Sequence, residues 1–307
     1  MSLATSLRGR LRYREDKHLP YYLLLPAILI VLGTLVVPLF LLGNMSVRDI
    51  DLASLEEVFQ APLTTDHYTG VLEDPDTWKS LWISVLYVAG TTSTAFILGF
   101  GTALLLKQAF PGQRVFRTLL LVPWAVPGIT ATVAFLWMLT PTFGVVNFIL
   151  RTVGLISTDI NWFGNPDTAL IAVILPTAWK AYPFFAVMLL AGLQSIPDDW
   201  YEAAAVDGAG VFNSFRYVTW PGVKRYAILA LIFNGMHTFR EFDFIYAATQ
   251  GGPSGATETI AIRIYNEAFR AFRLGDASAL GIFTFVLVAL FVLFALRRQA
   301  KSSFEGL

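Results

Sequence analysis

The chain has 307 residues, of which 55% are hydrophobic and only 14% charged. Its mean hydropathy is +0.60, whereas soluble domains carry roughly 25% charged residues, so water is not its only solvent. Its 22 basic and 22 acidic residues cancel, which leaves no global field to draw nucleic acid, and with no cysteine there is no disulfide framework, thiolate metal site or cysteine nucleophile.

Six apolar runs reach the roughly 20 residues that a helix needs to cross a hydrocarbon core about 30 Å thick. In chain order they cover 21–42, 81–106, 118–139, 169–193, 226–247 and 277–296. The fold class expected is therefore all-α and integral to the membrane, with six transmembrane helices in contact with membrane lipid. The first run follows an Arg-rich segment, yet it is too long for a signal-peptide core and lacks a small-residue cleavage site, so it reads as a retained helix.

Lys and Arg in short loops mark the cytoplasmic side. Segments 8–17, 107–117, 216–225 and 297–301 hold 14 of them, against 6 on the other side. Both termini are expected in the cytoplasm. Trp78, Trp82, Trp162 and Trp179 fall near the predicted outer boundaries, where amphipathic rings favour the headgroup layer.

Between the fourth and fifth runs the chain reads Ser195-Ile-Pro-Asp-Asp-Trp-Tyr-Glu-Ala-Ala-Ala-Val-Asp-Gly-Ala-Gly. This spacing predicts a helix, a glycine turn and a second helix. Asp198 or Asp199 is placed to cap the first helix, with Glu202 three residues after Asp199 as in a capping box. The alanines favour helix and leave a smooth face, and Gly208 or Gly210 permits the reversal because glycine takes positive φ without cost. An ordinary solvated helical hairpin has the same local features. What distinguishes this one is the register of Glu202, Ala203 and Ala204 with Asp207, Gly208 and Ala209, then with Phe215, Val218 and Pro221.

In that register the loop resembles the cytoplasmic EAA loop of ABC importer permeases. A second stretch, Phe239-Arg-Glu-Phe-Asp-Phe-Ile-Tyr-Ala-Ala-Thr-Gln-Gly-Gly-Pro, together with Trp179-Lys180 ahead of Tyr182-Pro183-Phe184, is similar to the carbohydrate-uptake branch. Within it the likeness is to the first permease of heterodimeric pairs of the maltose, trehalose and glycerol-phosphate type. The resemblance implies a type I ABC importer permease fold and a bacterial or archaeal cytoplasmic (inner) membrane location. It also implies four partners: a second homologous permease subunit, an ATP-binding subunit dimer, an extracytoplasmic solute-binding protein and a sugar substrate. The expected division is a cytoplasmic segment over 1–20, the first helix and outer loop over 21–76, a permease core over 77–297 with its EAA loop at 195–225, and a cytoplasmic tail over 298–307.

By the same resemblance Glu202, Ala203, Ala204, Asp207, Gly208 and Pro221 couple to the ATPase. The positions matching the family's sugar contacts are Thr177, Lys180, Ala181, Asn234, Thr238 and Glu241. Where the family often has a second proline after Pro221, this chain has Lys224 and Arg225.

The chain holds no G-x-x-x-x-G-K-[ST] phosphate loop, so ATP is expected to be hydrolysed by a partner and no cofactor is expected here. His18, His67 and His237 are scattered, and no catalytic or metal constellation is evident, so an enzyme is not expected. Lys180, His237, Arg240, Glu241 and Asp243 fall within predicted spans, where ionisable groups are costly. They read either as lining a pathway or, for Arg240 and Asp243 three residues apart, as a structural pair on one helix face. The alternative function is an ion-gradient-driven secondary transporter, which predicts inverted repeats that the sequence lacks.

Overall fold

The computed structural model of the chain describes residues 19–50 and 59–304. The basic segment 8–17, His18, the acidic residues within 51–58 and the last residues of the tail lie outside the described residues.

The first span runs over Tyr21–Met45. It consists of α1 (Leu19–Val31), a π-helical turn over Leu32–Val36 and α2 (Val37–Met45). Its side chains from Tyr21 to Leu41 are all exposed on this chain, as expected of a helix apolar on every side.

The centre of the molecule is built on two long helices, α4 (Pro75–Lys107) and α9 (Pro166–Gln194), which pack along each other and are crossed by α12 (Trp220–Phe239). In lipid, helices gain little from hiding apolar surface and depend on close packing through small residues. Gly99 on α4 provides such an approach: a Cβ there would lie 2.4 Å from Phe185 Cβ and 2.8 Å from the Tyr182 carbonyl oxygen. Gly192 on α9 does the same towards Val223 and Tyr226 of α12, both 2.8 Å from an added Cβ. Phe185, Leu189, Leu193, Val223, Ala227 and Ala230 are the fully buried result.

Around this centre lie α3 (Asp66–Glu73), α14 (Ile260–Phe269) and α15 (Leu274–Phe304); α15 packs on α2, α3 and α14. A short helix α8 (Val145–Thr152) sits in the connection to α9.

Two of the predicted straight spans are broken. The run 118–139 resolves into α5 (Gln113–Leu120), α6 (Val122–Ala125) and α7 (Gly128–Met138). The two halves meet at 96°. Pro127 is the cause: it lacks an N–H and forces the preceding residue out of helical geometry, and Val126 is accordingly extended at φ −75°, ψ 128°.

The run 226–247 also stops early. α12 ends at Phe239, Arg240 to Phe242 are not helical, and α13 (Asp243–Ala248) begins anew against α7. Of the two readings for Arg240 and Asp243, this rules out the structural pair on one helix face. The break removes their shared helix face, and no ion pair joins them among the described residues. Among the described residues, the six predicted runs thus correspond to four helices long and apolar enough to cross a membrane, one bent pair, and α12 with its break.

Candidate functional site

Thr177, Lys180, Ala181 and Phe184 recur at helical spacing on α9, so they share one face. Phe233, Asn234, His237 and Thr238 do the same on α12, with Glu241 in the break that follows. These two faces, closed by Trp124 of α6 and Phe244 of α13, enclose a cavity of about 430 Å³. That volume lies within the range of small-molecule sites.

All six residues matched to sugar contacts line this one cavity, but their side chains are not equally free. Thr177 is buried; its hydroxyl donates to the Val173 carbonyl at 3.0 Å and therefore accepts from the Tyr87 hydroxyl at 2.7 Å. Asn234 Oδ1 accepts from Thr92 Oγ1 at 3.2 Å and from Thr238 Oγ1 at 3.4 Å. The Asn234 amide nitrogen has no partner among the described residues and remains available as a donor. Glu241 accepts from the backbone N–H of Phe244 at 3.4 Å, which satisfies the start of α13.

Lys180 has a second task. Its ammonium donates to the carbonyl oxygen of Val126, the residue at which the bent pair opens. A carbonyl freed by a helix break at membrane depth needs such a donor, and two of the three ammonium protons remain for other contacts.

The wall combines hydrogen-bonding groups at Asn234, His237, Glu241 and Lys180 with the aromatic faces of Trp124, Phe184, Phe233 and Phe244. Such a lining suits a ligand with many hydroxyls and some apolar faces. His237 joins the wall as one of the ionisable residues placed within a span by the sequence, whereas nothing in the sequence reading assigns Trp124, Phe184, Phe233 or Phe244 to it. A signal exists for one of these four: Phe184 follows Thr177 by seven residues, which is the same helix face.

The predicted hairpin forms the second region. α10 (Asp198–Val206) is followed by Gly208, whose φ of +78° makes the reversal, and by α11 (Val211–Ser214). A π-helical turn over Phe215–Thr219 then leads directly into α12, with Pro221 in its first turn. Gly210, at φ −72°, takes no part in the reversal.

The expected capping box is not formed. Pro197 occupies the cap position without a side-chain hydrogen bond, and Asp198 and Asp199 lie inside the first turn, where their charge favours the helix dipole instead. Glu202, Ala203, Asp207, Gly208 and Pro221 are exposed and Ala204 is half-buried. The hairpin also presents apolar side chains that no described residue covers: Val206 is 88% exposed, Val211 91% and Phe212 71%.

Residues 95–302 match the family of binding-protein-dependent transport system inner membrane components. The chain belongs to that family. It is 37% identical over 296 residues to the trehalose/maltose transport system permease protein MalF of Thermococcus litoralis, covering 95% of this chain and 97% of that one. To the sulfoquinovosyl glycerol transport system permease protein SmoG of Agrobacterium fabrum it is 37% identical over 273 residues, covering 89% and 87% of the two chains. In fold it is similar to a chain of a bacterial ABC transporter involved in the import of the acidic polysaccharide alginate, with a TM-score of 0.78 at 22% identity over 94% of this chain and 96% of that one. The architecture is therefore that of a type I ABC importer permease, a multi-pass protein of the inner membrane.

Proposed function

We propose that the chain forms part of the translocation pathway of a binding-protein-dependent ABC importer for a sugar or sugar derivative. In this reading it pairs with a second, homologous permease, stands on a dimer of ATP-binding subunits and receives its ligand from an extracytoplasmic binding protein. The cavity between α9 and α12 is the ligand's passage, with Asn234, Thr238, Glu241 and Lys180 offering hydrogen bonds to hydroxyls and Trp124 and Phe184 offering ring faces. The α10–α11 hairpin lies on the cytoplasmic side, as the distribution of Lys and Arg implies, and both termini share that side. Closure of the ATP-binding subunits moves the hairpin and so opens the cavity outward, and hydrolysis resets it.

The observation that carries the reading is the hairpin itself: a helix with no buried residue, reversed at Gly208 and flanked by exposed Val206, Val211 and Phe212. Such a segment is stable at a protein surface when a partner covers it. Uptake and ATP hydrolysis measured together in the assembled importer test this. Gly208→Pro fixes φ near −65° where +78° is needed, and Glu202→Ala removes the exposed charge. Both are expected to hydrolyse ATP with uptake lowered about tenfold or more, a loss corresponding to about 1.4 kcal/mol of coupling. Normal uptake in both variants would refute the coupling role.

A further inference from the structure

α10 has no buried residue, yet coupling requires it to move the walls of a cavity along the bundle. α10 touches the central core through Tyr201 and Ala204. Tyr201 also makes two directed contacts. Its ring lies 3.7 Å below the ammonium of Lys107, the last residue of α4. Its hydroxyl lies 3.1 Å from Thr219 Oγ1, and Thr219 is the last residue of the π-helical turn that opens α12. Thr219 is itself buried and directs its proton towards the Ser214 carbonyl at 3.5 Å, so the Tyr201 hydroxyl is the donor to Thr219.

The two helices that Tyr201 touches meet again at the cavity. Thr92 of α4 donates to Asn234 of α12 at 3.2 Å. Thr92 lies 15 residues before Lys107, and Asn234 lies 15 residues after Thr219. At 1.5 Å per residue each arm is about 22 Å long. α4 and α12 thus form the two sides of a frame, closed at one end by Thr92–Asn234 and at the other by Lys107–Tyr201–Thr219. A π-helical turn at the foot of one arm supplies a place for it to give, since such turns disturb the regular hydrogen-bond ladder.

We propose that Tyr201 is the positioning residue that joins α10 to α4 and α12 together, with Lys107 as its cationic partner, so that displacement of α10 changes the spacing of the two cavity walls. The inference rests on the coupling role of the hairpin and adds the joint through which coupling passes. The Ala204 side chain packs but can make no directed bond, so it cannot hold both arms in register.

The test uses the assembled importer in proteoliposomes with ligand-loaded binding protein, reading uptake per ATP hydrolysed. Tyr201→Leu and Lys107→Met should each lower that ratio about tenfold, the factor that loss of contacts of this strength produces. The double variant should lose no more than Tyr201→Leu alone, because Lys107 acts only through the Tyr201 ring. Lys107→Arg should restore the ratio, since a guanidinium also sits over an aromatic ring. Tyr201→Phe, which keeps the ring and loses only the hydroxyl, should fall between and guards against a folding defect in Tyr201→Leu. A wild-type ratio in both Tyr201→Leu and Lys107→Met, additive losses in the double variant, or failure of Lys107→Arg to restore coupling would each overturn the proposal. Gly208→Pro in the same assay separates the two levels. If it uncouples while Tyr201→Leu and Lys107→Met do not, the hairpin couples through another contact; if it too stays coupled, the hairpin reading fails.

Discussion

The two ends of α4 are held in opposite ways. At its Pro75 end, charged side chains tie α3, α4, α14 and α15 into one lattice. Arg263, only 12% exposed, pairs with Asp74 and lies 3.8 Å from Glu258 and 3.7 Å from Glu267. Arg273 reaches Glu267 at 2.5 Å, and His67 reaches Asp276 at 2.6 Å. Ser84 of α4 accepts the first backbone N–H of α14 at 2.8 Å. At the Lys107 end the hairpin has no buried residue in α10 and, among the described residues, no ion pair. Buried charges are tolerated only where partners meet them in fixed geometry, so the first end is rigid. Exposed small and apolar side chains impose no such condition, and the second end is free to follow a partner.

The comparison can be broken most sharply at Arg263. Arg263→Ala leaves three carboxylates around an empty position, and removal of one partner from a buried set typically costs about 3–5 kcal/mol. Thermal unfolding of the detergent-solubilised permease should show this as a clear fall in Tm, whereas Glu202→Ala should stay within about 0.5 kcal/mol of wild type. Equal falls at both ends would show that the lattice is no stiffer than the hairpin.

A smaller effect is expected from a pair of glycines. A Cβ at Gly275 would lie 2.4 Å from His67 Nε2, whereas nothing lies within 4 Å of one at Gly210. Gly275→Ala should therefore destabilise by about 1–3 kcal/mol through overpacking, and Gly210→Ala by less than about 1 kcal/mol. The same thermal measurement decides, and the reverse order would mean that His67 swings away freely. Least of all should follow from Arg151→Gln. Arg151 pairs with Asp159 at 3.2 Å but is 53% exposed, so its loss should change stability by no more than about 0.5 kcal/mol. A larger loss would mean that charge pairing, rather than its burial, stiffens this half of the molecule.

Sequence alone determined those properties that depend on short stretches of chain. Length and apolarity of a run decide whether it can lie in a bilayer, because the requirement is one of thickness along a single helix. The reversal at Gly208 was legible for the same reason: a positive φ is a local demand that glycine meets. Thr177, Lys180, Asn234 and Thr238 were legible only through resemblance to the family's sugar contacts, and their shared faces on α9 and α12 follow from helical spacing once those helices are seen. The 96° bend at Pro127 and the stop at Phe239 were not legible, because a proline or a polar triplet permits a break while neighbouring helices set its angle. Nor were the pairings of Lys180 with Val126 and of His67 with Asp276, which join residues 54 and 209 positions apart. Tyr201 carried no mark beyond its place beside Glu202. Only when α4, α10 and α12 pack does its ring meet Lys107 and its hydroxyl meet Thr219, and distances between remote residues follow from packing, not from local preference.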